Sequence, residues 1–241
     1  MATVILVRHG RTTANSSGVL AGRSPGVTLD ELGREQAARA GERLAPLPLA
    51  AVVSSPLERC RETAREIVTR QERRLRVRQE RGIVEVDYGT WTGQGLEALS
   101  KEPLWQTVQQ HPAGATFPEG ESMAAMATRA VATVRRWDGT VSDEHGPDAV
   151  WVAVSHGDVI KSVLADALGM HLDVFQRIVV DPASVSVVRY TSGRPFVLTM
   201  NSHEGDLSFL RPAAGAAAAS EDAQVGGGAG PGTGPRSGDR G

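Results

Sequence analysis

Three apolar runs in this chain lead into residues that can do chemistry. "TVILVRH" (3–9) carries Arg8 and His9 and is followed by Gly10. "AAVVSS" (50–55) leads within one helical turn to Arg59, and "AVWVAVSH" (149–156) ends in Ser155, His156 and Gly157. If these three ends lie side by side, two arginines and two histidines meet at one spot. Crowding such groups is costly unless an anion shares the space. The planar fork of arginine suits a tetrahedral phosphate, to which it donates two parallel hydrogen bonds. Helices starting just after the runs add backbone N–H donors and a favourable dipole end, Gly157 standing directly before one of them. The expected site binds phosphate.

Strands and helices must hold those ends together. The three runs read as strands covered on both faces, and residues 75–84, 184–191 and 195–200 read as weaker strands. Between them lie helical segments with start signals. Thr28 with Glu31 has the spacing of a capping box ahead of "LDELGREQAARAGERL". Ser55 with Glu58 has it again, with Pro56 at the expected first helical position. Residues 120–137 and 158–168 read as a third and a fourth helix, the latter stopped by Gly169. Alternating strands and helices imply an α/β fold, a three-layer α/β/α sandwich with a mostly parallel central sheet. In such folds ligands bind at the carboxyl ends of the strands, near the switch in strand order.

The remaining features bound the possibilities. A chain of 241 residues suffices for one large domain with a sizeable core or for two small ones. A net charge of −2 argues against a surface built for nucleic acid. No apolar run approaches the ~20 residues of a membrane span, so no membrane partner is expected. No basic, then apolar, then small-residue pattern opens the chain, so no secretion signal is expected. Cys60 is the single cysteine, which excludes an internal disulfide and favours a cytoplasmic setting. From Pro212 onward there is no aromatic residue, leucine or isoleucine, and one valine, Val225. That composition cannot offset its ordering entropy. The working domain is therefore expected over 1–210, with a disordered Ala/Gly/Pro-rich tail over 211–241.

Six motifs occur in order: "LVRHGRTTAN" (6–15), "AGRSPGVTLDELGREQA" (21–37), "SSPLERCRETA" (54–64), "EVDYGTWTG" (85–93), "FPEGES" (117–122) and "VSHG" (154–157). Together they resemble the histidine phosphatase superfamily, also called phosphoglycerate mutase-like. The resemblance implies that His9 is the nucleophile that becomes phosphorylated, and that Arg8, Arg59 and His156 complete the phosphate pocket. It implies that Asn15 donates to the phosphoryl group and Glu85 is the proton donor, with no metal and no cofactor in the catalytic core. Residues 96–122 contain Lys101 and no arginine, similar to the shorter, phosphatase-type members. The implied activity is metal-independent hydrolysis of a small phosphorylated metabolite through a phosphohistidine on His9. A phosphomutase using the same intermediate is the alternative, and a catalytically silent phospho-ligand binder is a remoter one. Oligomeric state has no signal in the sequence.

Physical chemistry sets conditions on these roles. A histidine attacks phosphorus only when neutral, with one ring nitrogen free and the other held as a donor. Arg8 and Arg59 should keep the pKa of His9 from rising, and His156, if protonated, could donate to the phosphoryl oxygens. Thr12, Thr13 and Arg23 are further pocket candidates, and Trp91, Trp105 and Phe117 could shape a leaving-group pocket. Arg11 stands where many of the resembled proteins carry an acidic residue. His111, His145, His171 and His203 have no metal-ligand spacing. Cys60 is expected to be inert and half-buried, since Glu66 occupies the arginine position of a C-x5-R phosphatase motif. Ser155, His156 and Asp158 form a triad only on paper, without G-x-S-x-G.

Overall fold

Strand β1 (Thr3–Arg8) is buried on both faces from Val4 onward. Its unbroken aliphatic run fits a strand covered by helices on both sides. In the computed structural model, which describes residues 1–203 and Gly226, five more strands join it. These are β2 (Leu49–Ser54), β3 (Val77–Gln79), β4 (Val150–Ser155), β5 (Val185–Arg189) and β6 (Phe196–Ser202). Their order is β3-β2-β4-β1-β5-β6. The first four in that order pair in parallel, while β5 and β6 add antiparallel pairs at one edge. Apart from Gly226, the expected tail lies outside the described residues.

The helices are α1 (Thr13–Ser16), α2 (Glu31–Leu44), α3 (Glu58–Val68), α4 (Leu96–Leu99), α5 (Pro103–Gln110), α6 (Met123–His145) and α7 (Gly157–Ala167). Because successive strand side chains point to opposite faces, the sheet feeds two cores. Val4, Leu6, Trp151 and Ala153 pack with Val134 of α6 and Leu164 of α7. Ile5, Val7, Val152 and Val154 pack with Leu44 of α2 and Ile67 of α3. Each fully buried aliphatic side chain is worth ~1.5–3 kcal/mol, so both helix layers are anchored by the sheet. Among the described residues, no helix is long and apolar enough to cross a membrane.

Both expected capping boxes are corrected. Helix α2 is capped by Asp30, whose Oδ1 accepts from Gly33 N at 2.7 Å, while Thr28 is exposed. The N-cap of α3 is Leu57, without a side-chain cap, and Pro56 precedes the helix. Ser55 is instead committed to the site described below. The expected strand over 75–84 shrinks to Val77–Gln79, because Glu80 caps a 3-10 turn over Arg81–Ile83. The third helix runs beyond residue 137 to His145. The fourth agrees to within a residue at each end, with Gly169 at φ +67° just past its end.

Two glycines bring α2 against the loop after β1. A Cβ on Gly33 would lie 1.9 Å from the carbonyl oxygen of Arg11, and one on Gly10 2.3 Å from that of Gly33. Alanine inside a helix ordinarily stabilises by roughly 0.5–1 kcal/mol relative to glycine. Here the expected result of Gly33→Ala is the reverse: a melting temperature lowered by several degrees in thermal denaturation. An unchanged or raised value would show that the main-chain contact yields easily.

Candidate active site

The parallel register sets Arg8 beside Ser155 and Ser54 beside Val154. The carboxyl ends of β1, β4 and β2 are therefore level. Two further ladder bonds continue past the strands, His9 N to Ser155 O at 3.0 Å and Ser55 N to Val154 O at 2.9 Å. Arg8, His9, Arg59, Glu85 and His156 are brought together there, each no more than 3% exposed. The two imidazole rings stand edge to face with centroids 5.3 Å apart.

Hydrogen-bond partners assign the ring protons. Nδ1 of His9 lies 2.7 Å from the carbonyl oxygen of its neighbour Gly10, so it is the donor. Nε2 accepts from Nε of Arg59 at 3.3 Å, so it carries the lone pair. Nη2 of Arg59 donates to Gly22 O at 2.8 Å and faces Nδ1 of His156 at 3.3 Å. His156 accordingly carries its proton on Nε2, 2.8 Å from Ser55 Oγ. Nη1 of Arg59 is buried and has no hydrogen-bond partner among the described residues. An orphaned charged donor costs its full desolvation penalty, so a built anion site is the natural complement.

The electrostatics run in two directions. Burial, then the charge of Arg59, holds His9 well below the usual histidine range, with Arg8 adding to the effect. Burial and Arg59 do the same to His156, which is neutral in this site rather than protonated. Burial also lowers Arg8 to about 10, against the pull of Glu85, Asp181 and Asp158. Glu85 moves the other way, raised to about 7 by burial and by the charge of Asp158, which outweigh Arg59 and Arg8. One buried carboxyl near neutrality beside two deprotonated imidazoles is an acid facing bases.

Glu85 is held by its backbone as well as its side chain. Oε1 accepts from Val86 N at 3.0 Å. Its carbonyl accepts from Arg23 Nε at 2.9 Å and Arg129 Nη2 at 3.1 Å. Glu121 binds both arginines and the amide of Asp87. Arg23 thus serves the loop of Glu85 rather than lining the cavity.

Other expected residues divide. Thr12 and Asn15 line the cavity with His9, Arg59, Glu85 and Tyr88; Asn15 Oδ1 accepts from Thr12 N at 3.0 Å. Gly157 is buried at the first position of α7. Thr13 is exposed. Phe117 and Trp91 lie in the core behind Tyr88, with ring centroids 4.9 Å apart for Tyr88–Phe117 and 5.3 Å for Trp91–Phe117. Trp105 stacks on Trp91. Arg11 is paired with Asp30 at 2.7 Å. Cys60 is fully rather than half buried, its thiol pushed up to about 12 by burial. The paper triad does not form, because Ser155 Oγ donates to Ile83 O at 2.8 Å. Among the described residues, no group of three or more His, Cys, Asp or Glu gathers to hold a metal.

Sequence reasoning missed four positioning residues: Ser55, taken for a cap; Arg129 and Glu121, which grip the loop of Glu85; and Tyr88, whose hydroxyl donates to Asp158 Oδ2 at 2.9 Å. Ser55, Tyr88 and Glu121 lie inside the motifs "SSPLERCRETA", "EVDYGTWTG" and "FPEGES", whereas Arg129 had no signal. Asp158 also accepts from Gly226 N at 3.1 Å, and Gly226 joins the cavity wall.

A three-layer fold with two arginines, two neutral histidines and a near-neutral carboxyl at its parallel strand ends defines a phosphoryl-handling protein. Residues 4–203 match the model of the histidine phosphatase superfamily (branch 1), and the chain belongs to that superfamily. It is 31% identical over 211 residues to phosphoserine phosphatase 1 of Hydrogenobacter thermophilus, covering 83% of this chain and 92% of that one. It is 30% identical over 173 residues to a glucosyl-3-phosphoglycerate phosphatase of Mycolicibacterium vanbaalenii, covering 70% and 76%. Among solved structures, YhfR of Bacillus stearothermophilus superposes with a TM-score of 0.75 at 26% identity, covering 86% and 98%.

Proposed function

We propose that this protein hydrolyses a small phosphomonoester through a phosphohistidine at Nε2 of His9. The observation that carries the reading is the buried lone pair of His9 Nε2 facing Arg59 Nε at 3.3 Å, with Nη1 of the same guanidinium unpartnered among the described residues. The phosphatase names of the relatives support it. In the first half, Nε2 attacks phosphorus and the bond from phosphorus to the alcohol oxygen breaks. Glu85, protonated, gives its proton to the departing alkoxide. Arg8 and Arg59 stabilise the charge spread over the equatorial oxygens. His156 gains a reason to bind a proton only when the phosphoryl dianion is beside it. In the second half, Glu85 takes a proton from water, the oxygen attacks phosphorus, and the bond from nitrogen to phosphorus breaks. His9 returns with its proton still on Nδ1, donated to the Gly10 carbonyl.

Phosphate release from p-nitrophenyl phosphate and alkyl phosphates, with EDTA present, tests this reading; no release would overturn it. Glu85→Gln is expected to lower kcat/KM, which reports the first half alone, by ~10²–10⁴-fold for alkyl phosphates while sparing kcat/KM of the nitrophenyl ester, whose leaving group needs no proton. The pH profile follows from the signs. The acid form of Glu85 is lost as pH rises through about 7, so kcat/KM for alkyl esters falls there. His9, held well below its usual range, stays neutral across that window. Equal slowing of both ester classes would remove Glu85 from the acid role.

A further inference from the structure

Resting on the phosphatase reading, we infer that the substrate's alcohol is uncharged and largely apolar, an alkyl or aryl group without carboxylate or ammonium. Beside His9, Arg59 and Glu85, the cavity is lined by Ala14, Val19, Leu20, Ala21, Leu96 and Tyr88, the remaining lining residues being three glycines with Thr12 and Asn15. Arg11 and Arg23, which adjoin the lining residues Thr12 and Gly22 in sequence, and Arg129, which grips the loop of Glu85, are already committed. Arg11 pairs with Asp30; Arg23 pairs with Asp87 at 3.2 Å and Glu121 at 2.8 Å; Arg129 pairs with Glu121. Among the described lining residues, Arg59 is the one arginine or lysine, and it sits at the phosphate end. The hydroxyl of Tyr88 is spent on Asp158, and Thr12 and Asn15 bond each other at the start of α1.

A carboxylate on the leaving group would therefore lose water against aliphatic carbon without gaining a cation. An ammonium would meet a carboxyl, Glu85, that must be protonated to do its work. An apolar group loses nothing and buries its own surface. The two curated relatives above are named for a phosphoamino acid and a glycerate ester, both charged where the alcohol inferred for this chain is not.

The test is a matched pair of esters, phenyl phosphate and 3-carboxyphenyl phosphate, hydrolysed by the full chain with EDTA present. Expected is a kcat/KM for phenyl phosphate at least ~10-fold higher, the lower end of what hydrophobic pockets discriminate. Val19→Arg places a cation on the wall and is expected to shrink or invert that ratio. Ala14→Arg, at a partly exposed position, serves if circular dichroism shows the first variant unfolded. Release of phosphate from both esters at equal rates, or faster from the carboxylated one, would overturn the inference and leave the phosphatase reading standing. No release from either would overturn both. A wild-type preference unmoved by a folded arginine variant would show that this wall does not read the leaving group, and would also overturn the inference.

Discussion

Alanine in place of His9 is expected to lower phosphate release from p-nitrophenyl phosphate by roughly 10⁴–10⁶-fold, the scale of losing a covalent nucleophile. Both half-reactions pass through Nε2, and the neighbouring side chains cannot replace it. Cys60 is buried with its thiol held at about 12, and His156 has its lone pair facing Arg59. The loss should fall on kcat rather than on phosphate binding, since Arg8 and Arg59 remain. Rapid quench into alkaline detergent with radiolabelled substrate reads this directly: labelled protein, stable to base and lost on later acid treatment, in the wild type and none in the variant. Persistent turnover by a folded His9→Ala protein would end the phosphohistidine mechanism.

Removing Arg59 should cost nearly as much, ~10³–10⁵-fold in kcat/KM for Arg59→Ala, the range seen when a transition-state arginine is lost. Its guanidinium contacts both histidines and Gly22, and its charge helps hold both imidazoles down. A second readout follows with a definite sign. Without that charge both histidines gain basicity, so the acidic limb of the pH–rate profile moves to higher pH. Arg59→Lys should restore part of the pH behaviour and little of the rate, because a point charge cannot reproduce the fork. An unmoved acidic limb would show that Arg59 acts only as a contact.

Legibility differed between strand ends and everything that supports them. Arg8, His9, Ser155 and His156 were readable because each follows an apolar run directly, and parallel pairing brings such ends level. Arg59 was readable because its helix starts just after β2. Caps were misread because Thr28 and Asp30 both have cap chemistry, and only the main chain decides which one is extended at the helix start. Ser55 was misassigned because its alternative partner, His156, lies 101 residues away. The grip of Arg129 on Glu85, and of Tyr88 on Asp158, joins residues 44 and 70 positions apart. Such pairings have no local period, and one of three arginines on α6 looks like any solvated helix charge. The stretch over 75–84 looked extended until Gly82, fitted against Thr133, turned it into a 3-10 segment.

The Gly10 carbonyl that orients His9 has a kinetic corollary. It is a neutral acceptor, contributed by the next residue, whereas a carboxylate partner would make the ring a stronger base. A weakly basic nitrogen is a good leaving group, so a phosphoryl group resting on Nε2 would be a high-energy, short-lived guest. On the proposed route the phosphoenzyme is a transit point and not a store, a lifetime suited to handing phosphate to water at once.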